Sequence, residues 1–383
     1  MTEPTKILIV DDSKVFRTIL EKVISSIPSV QVVGAVDSGI SAIEFLRRNK
    51  VDLMTLDVEM PGMDGLETLK KLLSIKPELK AVPEVLMVSS LTRTGSDTTL
   101  KALELGAFDF VAKPEPNAAN SQESLSRVLN NAITVWISRR NRRVLPSASP
   151  TQTSAPFTST PVSAASRPAF TGSAATAFSY SLKPTEHTKQ VMAILIGVST
   201  GGPKSLADML PKLCTMTDLP ILLVQHMPPN FTKSLADSLD VKCKHKVVEG
   251  LPGTVVQEKT VYIAPGGFHM VVNSRGASYV LENNQDPPEN GCRPSVDVLF
   301  RSAAKAYPQD SLIGIILTGM GSDGALSLKH LKEKNAYLIA QDEESSVVFG
   351  MPRAAAATNL LSKVATLMNI PEAVAARIHM GKK

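Results

Sequence analysis

The sequence has few residues of the kinds that mark secreted, zinc-binding or membrane proteins. Its 383 residues include three cysteines, at positions 214, 243 and 292. An odd, unclustered set of this kind argues against a disulfide framework and against a zinc site. No apolar run approaches the ~20 residues that a membrane helix needs, and the N-terminus has no secretory hydrophobic region. We therefore expect a cytoplasmic protein in a reducing compartment.

Aromatic residues are also scarce, at 4% of the chain, and the most basic stretch, Arg139-Arg140-Asn141-Arg142-Arg143, contains none. A surface that binds single-stranded nucleic acid interleaves aromatic with basic side chains. The formal net charge of +5 comes in part from this one stretch, which is typical of a solvated helix end or a linker flank. Nucleic acid binding therefore stays a minor alternative.

Acidic residues are missing from a long stretch in the middle of the chain. Between about Asn141 and His187 the sequence is rich in Ser, Thr, Ala and Pro, and it has no acid before Glu186. Such a segment buries too little apolar surface to offset its ordering entropy. We predict a flexible linker at 141–187, between one domain at 1–140 and a second at 188–383.

On both sides of this linker, strand patterns alternate with helical ones. The strand candidates before the linker are residues 7–10, 30–36, 53–57, 85–89 and 108–111. After the linker the alternation returns, and Asn273-Ser274-Arg275-Gly276 adds a hairpin signal. The pattern predicts the α/β class, with a doubly wound parallel sheet in each domain and a β-hairpin insertion in the second.

Acidic residues follow two of the strands in the first domain. Asp11 and Asp12 end the first strand and Asp57 ends the third, so their carboxylates should converge. Three such groups suit Mg²⁺, and a carboxylate beside Mg²⁺ can attack phosphorus to give an aspartyl phosphate. Ser89 and Lys113 end two further strands and could contact the phosphoryl oxygens. A lone Asp after a strand more often caps a helix, but five polar residues at four strand ends favour a phosphate site.

The first domain resembles the receiver domain of two-component response regulators over about residues 5–130. The stretch Leu56-Asp57-Val58-Glu59-Met60-Pro61-Gly62-Met63-Asp64-Gly65 and the pair Lys113-Pro114 carry this resemblance. It implies a flavodoxin-like sheet and Asp57 as the phospho-acceptor. The Mg²⁺ ligands that it implies are Asp11, Asp12, Asp57 and the backbone carbonyl of Glu59. The switch residues that it implies are Ser89, Phe110 and Lys113, with Phe110 where many receivers have Tyr.

In the second domain, three polar segments each follow an apolar run. They are Gly197-Val198-Ser199-Thr200-Gly201-Gly202, Gln225-His226-Met227 and Thr318-Gly319-Met320-Gly321-Ser322-Asp323-Gly324. Each apolar run reads as a buried strand, so Ser199, His226 and Asp323 should meet in one crevice. A serine hydroxyl is a weak nucleophile that needs a base, and a carboxylate can orient that base. The three residues predict a hydrolase.

Each of these segments also has a simpler interpretation. A Gly-x-Ser-x-Gly-Gly loop is often a phosphate or dinucleotide cradle, His226 alone could be structural, and Asp323 alone could cap a helix. The order Ser, His, Asp along the chain differs from the order in α/β-hydrolases, so that fold is not implied.

The whole chain resembles the chemotaxis response regulator protein-glutamate methylesterases, the CheB family. Beside the three polar segments, Arg293-Pro294-Ser295-Val296-Asp297 and Gly350-Met351-Pro352-Arg353 carry the resemblance. It implies Ser199, His226 and Asp323 as a catalytic triad, with Thr200 and Met320 helping to hold the substrate or the oxyanion. One departure is Cys292, where many members have His.

The resemblance implies a phosphorylation-activated protein-glutamate methylesterase that also deamidates glutamines. Its substrates would be methyl-accepting chemoreceptors, and a receptor-coupled histidine kinase would donate the phosphoryl group. The receiver would act as a lid over the crevice. Mg²⁺ would serve receiver phosphorylation, and the esterase reaction would need no cofactor, nucleic acid or membrane insertion. Two alternatives remain open here: a non-enzymatic response regulator with a binding output domain, and the same esterase in a non-flagellar chemosensory pathway.

Overall fold

The computed structural model describes residues 3–114, 121–144, 182 and 187–381. Within these ranges the chain forms two sheets of parallel strands, both covered by helices, and a separate two-stranded hairpin. The α/β class and the hairpin in the second half, predicted from the alternation of strand and helix patterns, are confirmed. Most of the predicted linker at 141–187 lies outside the described residues.

A five-stranded parallel sheet forms the N-terminal domain. Its strands are β1 (Thr5–Val10), β2 (Val30–Val36), β3 (Leu53–Asp57), β4 (Glu84–Ser89) and β5 (Asp109–Ala112). Its helices are α1 (Lys14–Ser25), α2 (Gly39–Arg48), α3 (Gly65–Ser74), α4 (Arg93–Leu105) and α5 (Ser121–Val144). A short 3-10 turn, Lys76–Glu78, follows α3. The strand order β2-β1-β3-β4-β5 is the flavodoxin-like order.

The alternation of side chains along β1 explains the helices on both faces of this sheet. Leu8 and Val10 belong to the apolar cluster of α2, α3 and α4, while Ile7 and Ile9 belong to that of α1 and α5. Successive residues of a strand point to opposite faces, so a wholly apolar strand needs cover on both sides.

A seven-stranded parallel sheet forms the second domain. Its strands are β6 (Ala193–Val198), β7 (Ile221–Gln225), β8 (Lys246–Glu249), β9 (Thr260–Ile263), β12 (Leu312–Ile316), β13 (Tyr337–Gln341) and β14 (Lys363–Ala365), and the hairpin consists of β10 (His269–Arg275) and β11 (Ser278–Asn284). Its helices are α6 (Gly202–Met216), α7 (Phe231–Asp240), α8 (Val296–Ala306), α9 (Leu328–Glu333), α10 (Met351–Ala357) and α11 (Ile370–Met380), with a 3-10 turn at Leu367–Asn369.

The order of this second sheet places a crevice at its centre. The order is β14-β13-β12-β6-β7-β9-β8, so the chain leaves β6 in one direction toward β7 and later returns to β12 on the other side of β6. In open parallel sheets, ligands bind outside the carboxyl ends of the strands where the order reverses in this way. The segments after β6, β7 and β12 therefore surround the expected binding crevice.

The two domains meet along helices α4 and α7. The hydroxyls of Ser96 and Ser234 lie 3.3 Å apart in this interface, and Glu104 accepts a hydrogen bond from Ser238 at 2.6 Å. One apolar cluster continues from the α2–α4 face of the receiver sheet to α6 and α7 of the second domain. The receiver is thus packed on the helices that begin at the crevice.

Candidate active site

Ser199 lies directly after β6, in a loop in which both its backbone N–H and its backbone carbonyl are hydrogen-bonded. Its backbone N–H donates to the carbonyl of Thr318 at 3.0 Å, and its own carbonyl accepts from the N–H of Gly202 at 2.7 Å. Gly201 has a φ of 74°, a left-handed conformation that favours glycine. Gly197, by contrast, lies within β6, where a Cβ would come within 2.4 Å of Val296. Only the glycines after Ser199 shape the turn, and Gly197 leaves room for α8.

His226 lies directly after β7, at the neighbouring strand end. The register of β6 and β7 pairs Val198 with Gln225, and the N–H of His226 donates to the carbonyl of Val198 at 3.2 Å. The buried Gln225 amide joins the two loops, since its Nε2 donates to the carbonyl of Ser199 at 3.0 Å. Ser199 and His226 are therefore brought together by the pairing of two central strands.

Asp323 lies in the loop after β12 and forms a close pair with His226. The distance between His226 Nε2 and Asp323 Oδ2 is 2.7 Å, and the aspartate is buried. The carboxylate caps α8, accepting from the backbone N–H of Val296 at 2.7 Å and of Asp297 at 3.1 Å. The hydroxyl of Ser295 donates to its Oδ1 at 2.8 Å. A carboxylate with this many donors at a helix N-terminus stays ionised.

The electrostatics of the pair favour a charged imidazole. Burial disfavours the charged form of His226, but the hydrogen bonds to Asp323 and Cys292 outweigh burial and raise the pKa of His226 to about 10. Burial likewise opposes ionisation of Asp323, yet the hydrogen bond and charge of His226 hold the pKa of that carboxyl well below its usual range. The pairing with Asp323 therefore stabilises the protonated form of the His226 imidazole in this conformation.

The second ring nitrogen of His226 faces a thiol. Nδ1 lies 3.6 Å from Sγ of Cys292, and among the residues that the structure describes no hydrogen bond joins the hydroxyl of Ser199 to His226. The structure thus brings the serine and the histidine to adjacent strand ends, with the free imidazole nitrogen turned to Cys292. Sequence reasoning noted Cys292 as a departure from the family pattern but did not predict this contact.

Thr200 and Met320, the other two predicted residues, belong to the loops that follow β6 and β12. The carbonyl of Thr200 accepts from the Thr318 hydroxyl at 3.0 Å. The loop that contains Met320 packs directly against the serine, since a Cβ on Gly319 would come within 2.8 Å of the Cβ of Ser199. Both residues therefore lie in loops that border the crevice at the carboxyl ends of β6 and β12.

The receiver reaches into this crevice with two residues at the start of β5. The ring of Phe110 stacks on Phe231 of α7, with centroids 4.5 Å apart and an interplanar angle of 12°. The neighbouring Asp109 lies beside the Thr200 side chain, and burial raises the pKa of Asp109 to about 6. Phe110 was predicted as a switch residue, whereas Asp109 has no motif that marks it and was missed.

The acidic residues of the receiver form a second cluster at the ends of β1 and β3. Carboxylate oxygens of Asp11, Asp12 and Asp57 lie within 4.8 Å of one another, an arrangement that could hold a metal ion. Lys113 Nζ lies 2.8 Å from Asp11 and 2.7 Å from Asp57. Burial and the nearby Asp11 charge outweigh the effect of Lys113 and raise the pKa of Asp57 to about 6.

The remaining predicted receiver residues surround Asp57. The backbone N–H of Glu59 donates to Asp57 Oδ1 at 3.3 Å, and the Glu59 carboxylate accepts from the hydroxyls of Ser90 and Thr92. Ser89 is buried at the end of β4. Apart from Phe110 at the start of β5, the predicted residues of the receiver therefore lie at or just after the carboxyl ends of its strands.

No helix among the residues that the structure describes is both long and apolar enough to cross a membrane.

The fold and the site together define a class of protein. In this class a response-regulator receiver is joined to an α/β domain, and a serine, a histidine and an aspartate lie at the crevice of the α/β domain. Residues 7–122 match the family model described as response regulator receiver domain, and residues 194–374 match that of CheB methylesterase. A protein-glutamate methylesterase/protein-glutamine glutaminase from Desulfotalea psychrophila is 39% identical over 96% of this chain and 97% of its own. The corresponding protein from Chromohalobacter salexigens is 40% identical over 97% and 96%.

Among solved structures, the crystal structure of the Thermotoga maritima CheB methylesterase catalytic domain is similar to this chain, with 38% sequence identity and a TM-score of 0.47. The match covers 49% of this chain and 98% of that chain. The chain belongs to the CheB methylesterase family. It is therefore a hydrolase with a receiver domain, and the non-enzymatic alternative is not favoured.

Proposed function

We propose that the chain hydrolyses glutamate γ-methyl esters of methyl-accepting chemoreceptors to glutamate and methanol, and deamidates glutamines of the same receptors. The observation that carries this proposal is the pairing of the half-buried His226 with the buried Asp323, 2.7 Å between Nε2 and Oδ2, beside Ser199 at the centre of the sheet. The names of the relatives, protein-glutamate methylesterase/protein-glutamine glutaminase, support the same substrate class.

Ser199 would act as nucleophile, His226 as base and acid, and Asp323 as the group that orients the imidazole. The serine oxygen attacks the ester carbonyl carbon while its proton moves to Nδ1 of His226, the ring nitrogen that Asp323 does not occupy. The proton then passes to the methoxy group, which leaves as methanol. Water, deprotonated by the same imidazole, hydrolyses the acyl-enzyme to glutamate, and with glutamine the leaving group is ammonia.

Backbone donors near Ser199 would stabilise the tetrahedral oxyanion. Helix α6 begins at Gly202, and its first N–H groups carry partial positive charge toward the crevice. The loop of Met320 lies against Ser199 from the other side and could supply further donors. Thr200 and Met320 would then hold the substrate or the oxyanion between α6 and β12.

The receiver would hold this site inactive until Asp57 is phosphorylated by a receptor-coupled histidine kinase. One feature of this arrangement supports the control. Phe110 of the receiver stacks on Phe231, and the neighbouring Asp109 lies beside Thr200, the residue that follows Ser199. Movement of the receiver would uncover the site, and the linker would keep the lid at high local concentration.

Asp11, Asp12 and Asp57 fit a divalent cation, because three carboxylate oxygens within 4.8 Å repel one another unless a positive charge lies between them. We assign Mg²⁺ to these residues, together with the backbone carbonyl of Glu59. When bound, Mg²⁺ would neutralise charge on the phosphate. Lys113 would then supply a second cation near Asp57, and the buried Ser89 hydroxyl would lie beside the phosphoryl oxygens.

Methanol release from methylated receptor membranes tests the proposed function. A small phosphodonor with Mg²⁺ is expected to raise the rate of methanol release by the native chain roughly tenfold or more. The reason is that the open form of the lid would be a minor population before phosphorylation. The Asp57→Asn variant should keep the unstimulated rate and lose the stimulation. Absence of methanol release from the native chain with phosphodonor would contradict the proposal.

Loosening the domain contact should raise the unstimulated rate. Phe110→Ala removes one ring of the stacked pair with Phe231, and aromatic stacking of this kind is worth about a two- to tenfold change in an equilibrium. We expect methanol release without phosphodonor to increase by that factor. The matched control is Val128→Ala, which truncates an exposed apolar side chain on α5, away from the interface. An unchanged unstimulated rate for Phe110→Ala would show that the stacked rings do not hold the lid.

A further inference from the structure

A tight turn that the mechanism above does not use contacts both members of the His226–Asp323 pair. The N–H of Glu289 donates to the carbonyl of Cys292 at 3.1 Å, and the N–H of Cys292 donates to the carbonyl of Glu289 at 2.9 Å. Between them, Asn290 and Gly291 have φ values of 54° and 74°, as in a type I′ turn. This 289–292 turn has a defined shape, so its side chains have defined directions.

The 289–292 turn is fixed to helix α8. Arg301 of α8 donates two hydrogen bonds to the carboxylate of Glu289, at 2.6 and 2.5 Å, in the bidentate geometry that gives strong pairing. The N-terminus of the same helix binds the carboxylate of Asp323. The turn, α8 and Asp323 therefore form one connected unit.

Asn290 connects this unit to two buried carboxylates. Its Nδ2 donates to Oδ1 of Asp323 and to Oδ2 of Asp297, both at 2.9 Å. An amide nitrogen has two hydrogens, so it satisfies both carboxylates at once. Oδ1 of Asp323 is then held by Asn290, Ser295 and the backbone of Asp297, which leaves Oδ2 directed at His226.

Cys292 holds the imidazole from its other side. Its Sγ lies 3.6 Å from Nδ1 of His226, the nitrogen opposite the one that binds Asp323. The imidazole is thereby contacted at both nitrogens, which fixes the plane of the ring. Burial lowers the pKa of His226, and this contact acts with the Asp323 hydrogen bond to raise it.

We propose that Asn290 and Cys292 are positioning residues for the hydrolysis, Asn290 by fixing the carboxylate of Asp323 and Cys292 by holding Nδ1 of His226 until Ser199 takes that place. The inference rests on the proposed function, because it assigns roles within the same reaction. It predicts two different kinetic signatures, since one residue acts on geometry and the other on the proton affinity of the base.

The test measures phosphodonor-stimulated methanol release by full-length variants as a function of pH. Asn290→Ala is expected to lower kcat roughly tenfold with little change in KM, and Asn290→Asp to lower it further by placing a third carboxylate beside Asp323 and Asp297. The matched control is Asn283→Ala, whose amide donates to the carbonyl of Gly250 outside the site. The control should keep the native kcat.

Cys292 is tested by the pH profile. A base must be neutral to act, so the acid limb of the profile follows the pKa of His226. Because Cys292 contributes to raising that pKa, Cys292→Ala should move the midpoint to lower pH, and Cys292→Ser should move it less. Cys243→Ala, which truncates another partly buried thiol, is the matched control and should leave the midpoint in place.

A second measurement does not depend on esterase activity. The rate at which iodoacetamide alkylates Cys292, followed by mass spectrometry of the full chain, should fall roughly three- to tenfold in His226→Gln, because this variant removes the imidazole that lies 3.6 Å from Sγ. The inference is wrong if the native chain is active and all four variants at Asn290 and Cys292 keep the native kcat and the native midpoint of the pH profile. That result would leave the proposed function intact. If the native chain released no methanol, the proposed function would be wrong. An alkylation rate that is unchanged in His226→Gln would, in addition, contradict the contact between Cys292 and His226.

Discussion

Replacing Ser199 with alanine is expected to lower kcat/KM for methanol release by roughly 10⁴-fold or more. Loss of the nucleophile removes the acyl-enzyme route altogether, and what remains comes from oxyanion stabilisation and substrate binding. The fold should tolerate the change, because the loop is held by the backbone bonds of Ser199 to Thr318 and Gly202. Methanol release from methylated receptor membranes with phosphodonor measures the effect.

Ser278→Ala is the matched control for this experiment, because Ser278 is exposed at the start of β11 in the hairpin. It should keep the native rate. A phosphonate that traps serine hydrolases should also add its mass to the native chain and not to Ser199→Ala. Substantial methanol release by Ser199→Ala would remove the serine from the mechanism.

Replacing Asp323 with asparagine is expected to lower kcat by about 10³- to 10⁴-fold, since the imidazole loses the partner that selects its tautomer and stabilises its charge. The pKa of His226 should fall at the same time, because the Asp323 hydrogen bond and charge raise it above the ordinary value. The acid limb of the pH profile should therefore move to lower pH while the maximum rate collapses.

The control for the carboxylate is Asp286→Asn, an exposed aspartate in the segment after β11. Thermal unfolding of Asp323→Asn separates catalysis from stability, because the carboxylate also caps α8 through Val296 and Asp297. A folded Asp323→Asn variant with near-native kcat would show that the pair does not serve the reaction.

The location of the site could be predicted from sequence because it depends on local patterns. An apolar run followed by Ser199 or His226 indicates a strand end, and parallel sheets bring such ends to one edge. The same argument applied to Asp11 and Asp57 in the receiver, which lie within 4.8 Å of each other. The roles assigned to these residues remain predictions.

The orientation of the side chains could not be predicted, because it depends on residues distant in the sequence. A contact between His226 and Asp323 was predicted from the strand-end pattern, but the contact of the imidazole with Cys292 on its other side has no local signal. Asn290 was missed as well, although Asn-Gly is a strong signal for a tight turn. That signal predicts the turn but not the two carboxylates to which its amide donates.

The domain interface was the least predictable part. Asp109 carries no motif, and it lies beside the Thr200 side chain only because the two domains pack together along α4 and α7. Packing of preformed surfaces depends on shape and burial over many residues, which no short pattern records. Sequence reasoning predicted that the receiver would cover the crevice, but not which side chains would touch it.

His226, the proposed base, and Phe231, on which the receiver packs, belong to one short segment. His226 is followed by two prolines and by Asn230, whose amide donates to the carbonyl of Leu91 in the receiver at 2.7 Å, and then by Phe231, on which Phe110 stacks. Prolines restrict the backbone, so His226 and Phe231 are joined by a stiff connection. We therefore expect substitutions in this segment to change turnover and the response to phosphodonor together, and paired rates with and without phosphodonor separate the two effects.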